Sequence, residues 1–189
     1  MNISYQDTRN RLRDDRHRLH EVAKDDPRKG GLLLFNLSYQ AAWLHRWSHY
    51  FFCRGNRQLA RLLWHLNLWL TGADISPISD IGGGLLLLYP LCVILVGKIG
   101  RNFTAYGQVG VGGGMSSADI GAGPGLPVLG DNVTLDFGAL VLGPVHVHDN
   151  ARVGGRCVVT GDVPEGATVE GRKPRLRQQH AEIAEAQHG

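Results

Sequence analysis

Taken in sixes from Ile75, the chain reads Ile75, Ile81, Leu87, Val93, Ile99, Ala105 and Val111, and every one is apolar. A second run from Leu129 passes through Leu135, Val141, Val147, Val153 and Val159. The positions four residues on, Val133, Ala139, Val145, Ala151, Cys157 and Val163, are all small or branched. Neither the 3.6-residue period of a helix nor the two-residue period of a half-buried strand gives this spacing. A six-residue period is the mark of a parallel β-helix, in which each coil turns three corners and residues of one phase point inward. Glycine and Asp or Asn suit the corners, where positive φ is needed. One coil cannot bury its own core, so stability must come from stacking.

The pattern before residue 73 is different. Residues 3–25 mix Arg, Asp, Leu and His with no Gly or Pro and read as a polar, exposed helix that ends before Pro27. Further on, Leu44, Trp47 and Phe51, then Leu59, Leu62, Leu63, Leu66 and Leu70, recur at three- and four-residue steps. This predicts two amphipathic helices broken at Gly55-Asn56 and stopped at Gly72. Their Trp-rich, Arg-containing faces suit either packing on the second region or another subunit, or contact with a membrane surface. The chain therefore divides into a helical region 1–72, a coil region 73–171 and a basic tail 172–189, an α+β architecture.

Composition sharpens this division. Of the 26 glycines, 21 fall in residues 73–171. The net charge of +3 is segregated only mildly, too mildly to argue for a nucleic-acid binder, which wants a concentrated basic face. Three well-separated cysteines (Cys53, Cys92, Cys157) fit neither a disulfide scaffold nor a zinc site, and a reducing cytoplasmic setting suits them. The polar N-terminus does not read as a secretory signal. The apolar run Leu85–Val96, interrupted by Pro90, is too short to span a bilayer. The hexad phase lapses between Val111 and Leu129, so residues 113–127, rich in Gly, Ser and Pro, are expected as a loop thrown out of the stack.

Several stretches resemble the serine acetyltransferases and related hexapeptide acyltransferases. Leu44-His45-Arg46-Trp47-Ser48-His49 is similar to the helical segment ahead of the coils in that family. Ala73-Asp74-Ile75-Ser76-Pro77, with Ile81-Gly82-Gly83-Gly84-Leu85, resembles the first coils. Asn102 to Tyr106 with Val111-Gly112-Gly113 resembles the stretch before the active-site loop, and Gly171-Arg172-Lys173-Pro174-Arg175 the closing motif. The resemblance implies a left-handed β-helix, a homotrimer (in some cases a dimer of trimers), and acyl-CoA, acetyl-CoA above all, as co-substrate in a groove between subunits. On that resemblance Gly112, Gly113, Phe137, Gly155 and Lys173 lie where acyl-CoA is held. No metal is expected.

The chain departs from the family at the chemistry. The family's general base is a histidine oriented by a carboxylate, and Tyr89 stands in its place. Tyrosine, with a pKa near 10, is a poor base at neutral pH but can donate a hydrogen bond to an oxyanion. Where the family carries an Arg-His pair in the loop, this chain has Gly125-Leu126. One groove coil reads Leu135-Asp136-Phe137-Gly138-Ala139, bulkier than the small residues of the family. His146 and His148 flank an inward valine and point outward. With Asp149, and with Asp136 from an earlier coil, they are candidates for a replacement base. The function expected is acyl transfer from acyl-CoA to the hydroxyl or amine of a small, amino-acid-like acceptor, with an altered acceptor or mechanism. The alternatives are a non-catalytic trimeric scaffold and a different reaction in the same groove.

Overall fold

The computed structural model describes residues 3–25 and 35–171. Three helices come first: α1 (Tyr5–Asp25), α2 (Leu37–Cys53) and α3 (Arg57–Thr71). Asn36 and Asn56 cap α2 and α3 by accepting from the amides of Tyr39 and Leu59, and Gly72 closes α3 in the left-handed region at φ 73°. Fourteen short strands follow among the described residues. The first seven are β1 (Asp74–Ile75), β2 (Asp80–Ile81), β3 (Leu86–Leu87), β4 (Ile94–Leu95), β5 (Lys98–Ile99), β6 (Thr104–Ala105) and β7 (Gly110–Gly112). The rest are β8 (Val128–Leu129), β9 (Thr134–Leu135), β10 (Leu140–Leu142), β11 (His146–Val147), β12 (Arg152–Val153), β13 (Val158–Val159) and β14 (Thr168–Val169). They stack into three parallel sheets: A, β1-β4-β7-β10-β13; B, β11-β8-β5-β2; and C, β14-β12-β9-β6-β3. Every third strand lies in the same sheet, so the chain winds as a three-sided β-helix.

All the inward hexad positions named above are buried, as are their partners four residues on. Coils advance by three hexads, as from Ile81 to Ile99 or Leu129 to Val147. Ile99 pairs directly with Leu129, five hexads on, so the excess leaves the stack as a loop. That loop carries Met115 fully exposed and is braced by Asp119, whose carboxylate accepts from the amides of Gly121 and Gly123. The hexad count errs once. Val93 is buried at a corner, but the strand falls two residues later, with Leu95 opposite Ile75. The Tyr89-Pro90 corner carries the extra length.

The corners use two devices. Asn102, Asn132 and Asn150 take φ of 56°, 58° and 60° in successive coils, and their side-chain amides bond in a ladder at 3.0 Å per step. Asparagine tolerates the left-handed region because its side chain bonds locally. At Gly82 and Gly100 the demand is space, not φ: a Cβ there would meet the backbone of the next coil at 2.7 and 2.5 Å.

The helices close the N-terminal end of the coils through a polar seam. Arg46, buried, pairs bidentately with buried Asp15 at 2.9 and 3.0 Å. It also donates to the carbonyls of Ile81 and Gly82. Asp15 accepts in addition from the amides of Gly84 and Leu85. Arg11 bonds Asp80, and Arg18 bonds the carbonyls of Gly84 and Phe103. So α1 is no free polar helix; its Asp15 side is a docking face. On α3 the buried residues are Ala60, Asn67 and Thr71, with Asn67 donating to the Ala41 carbonyl. Leu62, Leu66 and Leu70 are exposed instead.

Candidate active site

The corner between sheets C and A carries the residue immediately after each C-strand and the one that follows it. Tyr89 follows β3, Tyr106 follows β6, Asp136 and Phe137 follow β9, and Gly154-Gly155 follow β12. Backbone bonds hold these in register: Tyr89 N to Tyr106 O, Tyr106 N to Leu135 O and Asp136 N to Val153 O. The rings of Tyr89 and Phe137 lie 5.4 Å apart and tilted, and Tyr106 meets Phe137 edge-on at 5.9 Å. Gly107 makes this contact possible, since a Cβ there would sit 2.8 Å from Phe137 and 3.2 Å from Tyr89. Tyr89 and Phe137 stay about half exposed, at 53% and 47%. Below them Gly155 is open, a Cβ meeting only the Phe137 carbonyl at 3.3 Å.

Sheet A, next to this edge, carries Asp74, Ile94, Gly110, Leu140, Leu142 and Val158 in the outward phase, with Asp74 taken up by the Trp64 indole N–H and Gly110 buried, so that the face beyond β1 is apolar. Sheet B shows Asp80, Lys98, Val128 and His146 in the equivalent places, and sheet C shows Leu86 and Thr104, both buried, then Thr134, Arg152 and Thr168. The apolar face lies between the aromatic edge on one side and Gly112-Gly113, where the loop departs, on the other. Gly112 and Gly113 leave open space, with no atom closer than 3.8 Å to a Cβ built on either. Sequence reasoning did not single out this face. The signal was available one residue before each inward aliphatic: Ile94, Leu140 and Val158.

The other candidates fall elsewhere. His146 and His148 stack at 6.0 Å on the sheet B side, one face away from Tyr89. Asp149 does not serve them: its Oδ1 accepts from the amide of Asp131 at 2.8 Å, one rung of a corner ladder. Asp136 does not join the histidines. It takes Arg152 bidentately at 3.1 and 2.9 Å on the aromatic edge. Within one chain, then, Tyr89, Asp136, Phe137 and Gly155 are brought together, and His146, His148 and Asp149 are not part of that group. Lys173 and the tail 172–189 lie outside the described residues. In the loop, Gly125 is buried at φ 73°, and a Cβ would stand 2.5 Å from the Ser116 carbonyl. No larger side chain fits at this point. Among the described residues there is no group of three or more His, Cys, Asp or Glu side chains fit to hold a metal.

No family model matches the chain. It is 33% identical over 162 residues to the serine acetyltransferase of Helicobacter pylori strain J99, covering 83% of this chain and 92% of that one. The chain belongs to the serine acetyltransferase family. The corresponding protein of Mycobacterium tuberculosis is 36% identical over 133 residues, 69% of this chain, but the match spans only 56% of that longer relative. Among solved structures, the soybean serine acetyltransferase in complex with serine superposes with a TM-score of 0.76 at 29% identity, covering 91% of this chain and 70% of that one. The Neisseria gonorrhoeae serine acetyltransferase in complex with serine gives 0.75 at 27%, covering 88% and 68%. These likenesses fix the left-handed β-helix with its helical start as the fold of this member of the family.

Proposed function

We propose that the chain is an acyl-CoA-dependent acyltransferase, with acetyl-CoA as the first candidate donor, acting on the amine or hydroxyl of a small, amino-acid-like acceptor other than serine. The observation that carries this reading is the Tyr89–Phe137–Gly155 edge bordering an apolar face in a chain of this family. The open Gly155 and Gly112-Gly113 positions leave room for an extended thioester. The apolar outer face of sheet A supports a homotrimer in which that groove lies between copies, and free, separated cysteines suit a cytoplasmic setting. Two features speak against serine. Gly125 excludes a charged side chain where the family resemblance puts one, and Tyr89 replaces the base that a hydroxyl acceptor needs most.

With a neutral amine the chemistry closes without a strong base. The amine lone pair attacks the thioester carbonyl carbon, and the carbonyl electron pair moves onto oxygen. Tyr89 donates its hydroxyl hydrogen to that oxyanion and lowers the barrier. The oxyanion then collapses, the C–S bond breaks, and CoA leaves as a thiolate. The thiolate takes up the proton that the attached nitrogen gives to water.

The test is calorimetric titration with acetyl-CoA and longer acyl-CoAs, followed by turnover with a panel of amino acids and amines. Micromolar binding, with turnover reduced ten- to a thousandfold in Tyr89→Phe and little change in CoA affinity, is the expected result. Absence of binding by any acyl-CoA overturns the reading. One observation favours a second reading, a non-catalytic scaffold: among the described residues the aromatic edge holds no His–carboxylate pair, and the His49–Asp80 contact at 3.9 Å lies under the helices instead. That reading predicts a stable trimer that binds no acyl-CoA. Turnover that survives Tyr89→Phe but fails in His148→Ala would move the chemistry to sheet B.

A further inference from the structure

The helical region carries a face that neither the coils nor the acyl-transfer reading uses. On α3, Leu62, Leu66, Trp69 and Leu70 are exposed, Leu62 at 63% and Trp69 at 84%. Of these, Leu66 and Leu70 line a shallow depression of about 430 Å³ together with Tyr39, Trp43 and Leu44 of α2. Next to it, across Tyr39, lies a second groove of about 610 Å³ lined by Arg9, Arg13 and Arg16 of α1. Tyr39 borders both, and Trp43 and Trp47 bridge them with rings 6.2 Å apart. No carboxylate lines either hollow. From Leu37 to Thr71 there is no Asp or Glu at all, while Arg54, Arg57 and Arg61 are exposed.

The two hollows together make an apolar, Trp-containing patch bordered by cations. We propose that this face docks on the surface of an anionic lipid bilayer, with the arginines meeting lipid phosphates and Trp69, Leu62 and Leu66 entering the headgroup boundary. The chemistry of each part fits. Guanidinium binds phosphate bidentately. Indole suits the interface, where one end of the ring is wet and the other dry. No described helix is long and apolar enough to cross the membrane, so the contact is peripheral. Charge argues against the obvious competitor, a second copy of this chain. A two-fold contact sets the same patch against itself. Here it would bring arginines to a face that offers them no carboxylate.

The experiment uses the full chain and vesicles of two compositions, phosphatidylcholine alone and an equal mixture with phosphatidylglycerol, in flotation assays. Binding to the anionic vesicles only, reversed by about 0.5 M salt, is the expected result. Replacing Arg9, Arg13 and Arg16 together by Gln weakens partitioning on the order of 100-fold, at about fivefold per charge. Trp69→Ser with Leu62→Ser also weakens binding and removes a blue shift of tryptophan emission on vesicle addition. Both variants are exposed-face changes, and far-UV circular dichroism with a thermal melt verifies that they fold. Failure to float with anionic vesicles at low salt overturns the proposal, whatever the acyl-CoA titration shows. So does a doubled mass in light scattering that Leu66→Glu halves, because the face would then belong to a second copy.

Discussion

The coils and the helical cap are held by opposite means. From Ile75 to Val159 the coil interior is almost wholly apolar, with Ser79 and Thr104 the buried polar side chains, and most other polar groups are spent outside, in corner ladders such as Asn102–Asn132–Asn150. The cap buries Asp15, His45, Arg46, His49 and Asn67. Coil stability therefore rises from many small, nearly independent contributions, as expected of a stacked repeat. The cap depends on a few polar groups that must all be satisfied together. The cap is thus the place where one substitution, or a change of pH, has its largest effect.

Asp15→Ala should show this most strongly. It leaves the Arg46 guanidinium buried without its anion and orphans the amides of Gly84 and Leu85. Loss of one partner of a buried pair costs about 3–5 kcal/mol, readable as a drop in denaturant midpoint. Asp15→Leu with Arg46→Met should cost far less, because apolar pairs replace buried ions with little penalty. An equal loss in the single and double variants would break the contrast between cap and coil.

Leu135→Ala is the matching test on the coils. Leu135 is fully buried between Ala105 and Val153, and its loss should cost about 2–5 kcal/mol through the cavity left behind. Combined with Ile81→Val, two coils away, the losses should add within a few tenths of a kcal/mol. Strong coupling between the two would mean that the stack behaves as one unit and not as a sum.

This contrast also marks what could be read from the sequence. The coil was legible residue by residue, because a six-residue period has one structural meaning and each inward position needs only to be apolar. Two particulars escaped. Val93 keeps the period, but the strand slips to Leu95, since a corner can absorb two residues without exposing either aliphatic. The outward Ile94, Leu140 and Val158 were hidden by attention to the inward phase. The cap was legible as helices but not as packing. Leu62, Leu66 and Leu70 do share one side of α3, yet Ala60, Asn67 and Thr71 face inward, because small and hydrogen-bonding residues allow close approach to α2. Nothing local to Arg46 announces a carboxylate partner 31 residues earlier. At the candidate site, Tyr89 and Phe137 stand out by sequence, but their ring contact needs Gly107, whose role only the third dimension shows.

The cap should also respond to pH. His45 is buried, and His49 stacks on it at 6.0 Å. Burial holds the pKa of His45 well below its ordinary value, and the Arg46 charge adds to this. His49 is also lowered by burial, against the opposing hydrogen bond to the Pro77 carbonyl and the charge of Asp80. Above the unfolded value near 6.5 both states are neutral and the full stability is present. As pH falls through that value the unfolded chain takes up protons that the folded cap refuses, and stability is lost until the folded pKa is reached. Each histidine contributes a slope of up to about 1.4 kcal/mol per pH unit. Denaturation followed at pH 7.5 and 5.5 should show the loss in wild type and a smaller one in His45→Phe. A flat profile would remove the cap's claim to be the pH-sensitive part.

The smallest effect should fall on the coil's own polar groups. Asn132 sits at φ 58° in the middle of its ladder, donating to Asn150 and accepting from Asn102, and it is exposed. Asn132→Ala removes both amide bonds and puts a Cβ in a region that alanine enters reluctantly, so a loss of about 1 kcal/mol is expected. Asn132→Gly removes the same bonds but relieves the backbone, and should cost less. Comparing the two melts separates the ladder from the turn. Equal losses assign the cost to the ladder, and a loss in the alanine variant alone assigns it to the dihedral. In either case water replaces the lost amide partners, which the buried seam of Asp15 and Arg46 does not permit. A loss in Asn132→Gly as large as that in Asp15→Ala would mean that burial is not what separates the two regions.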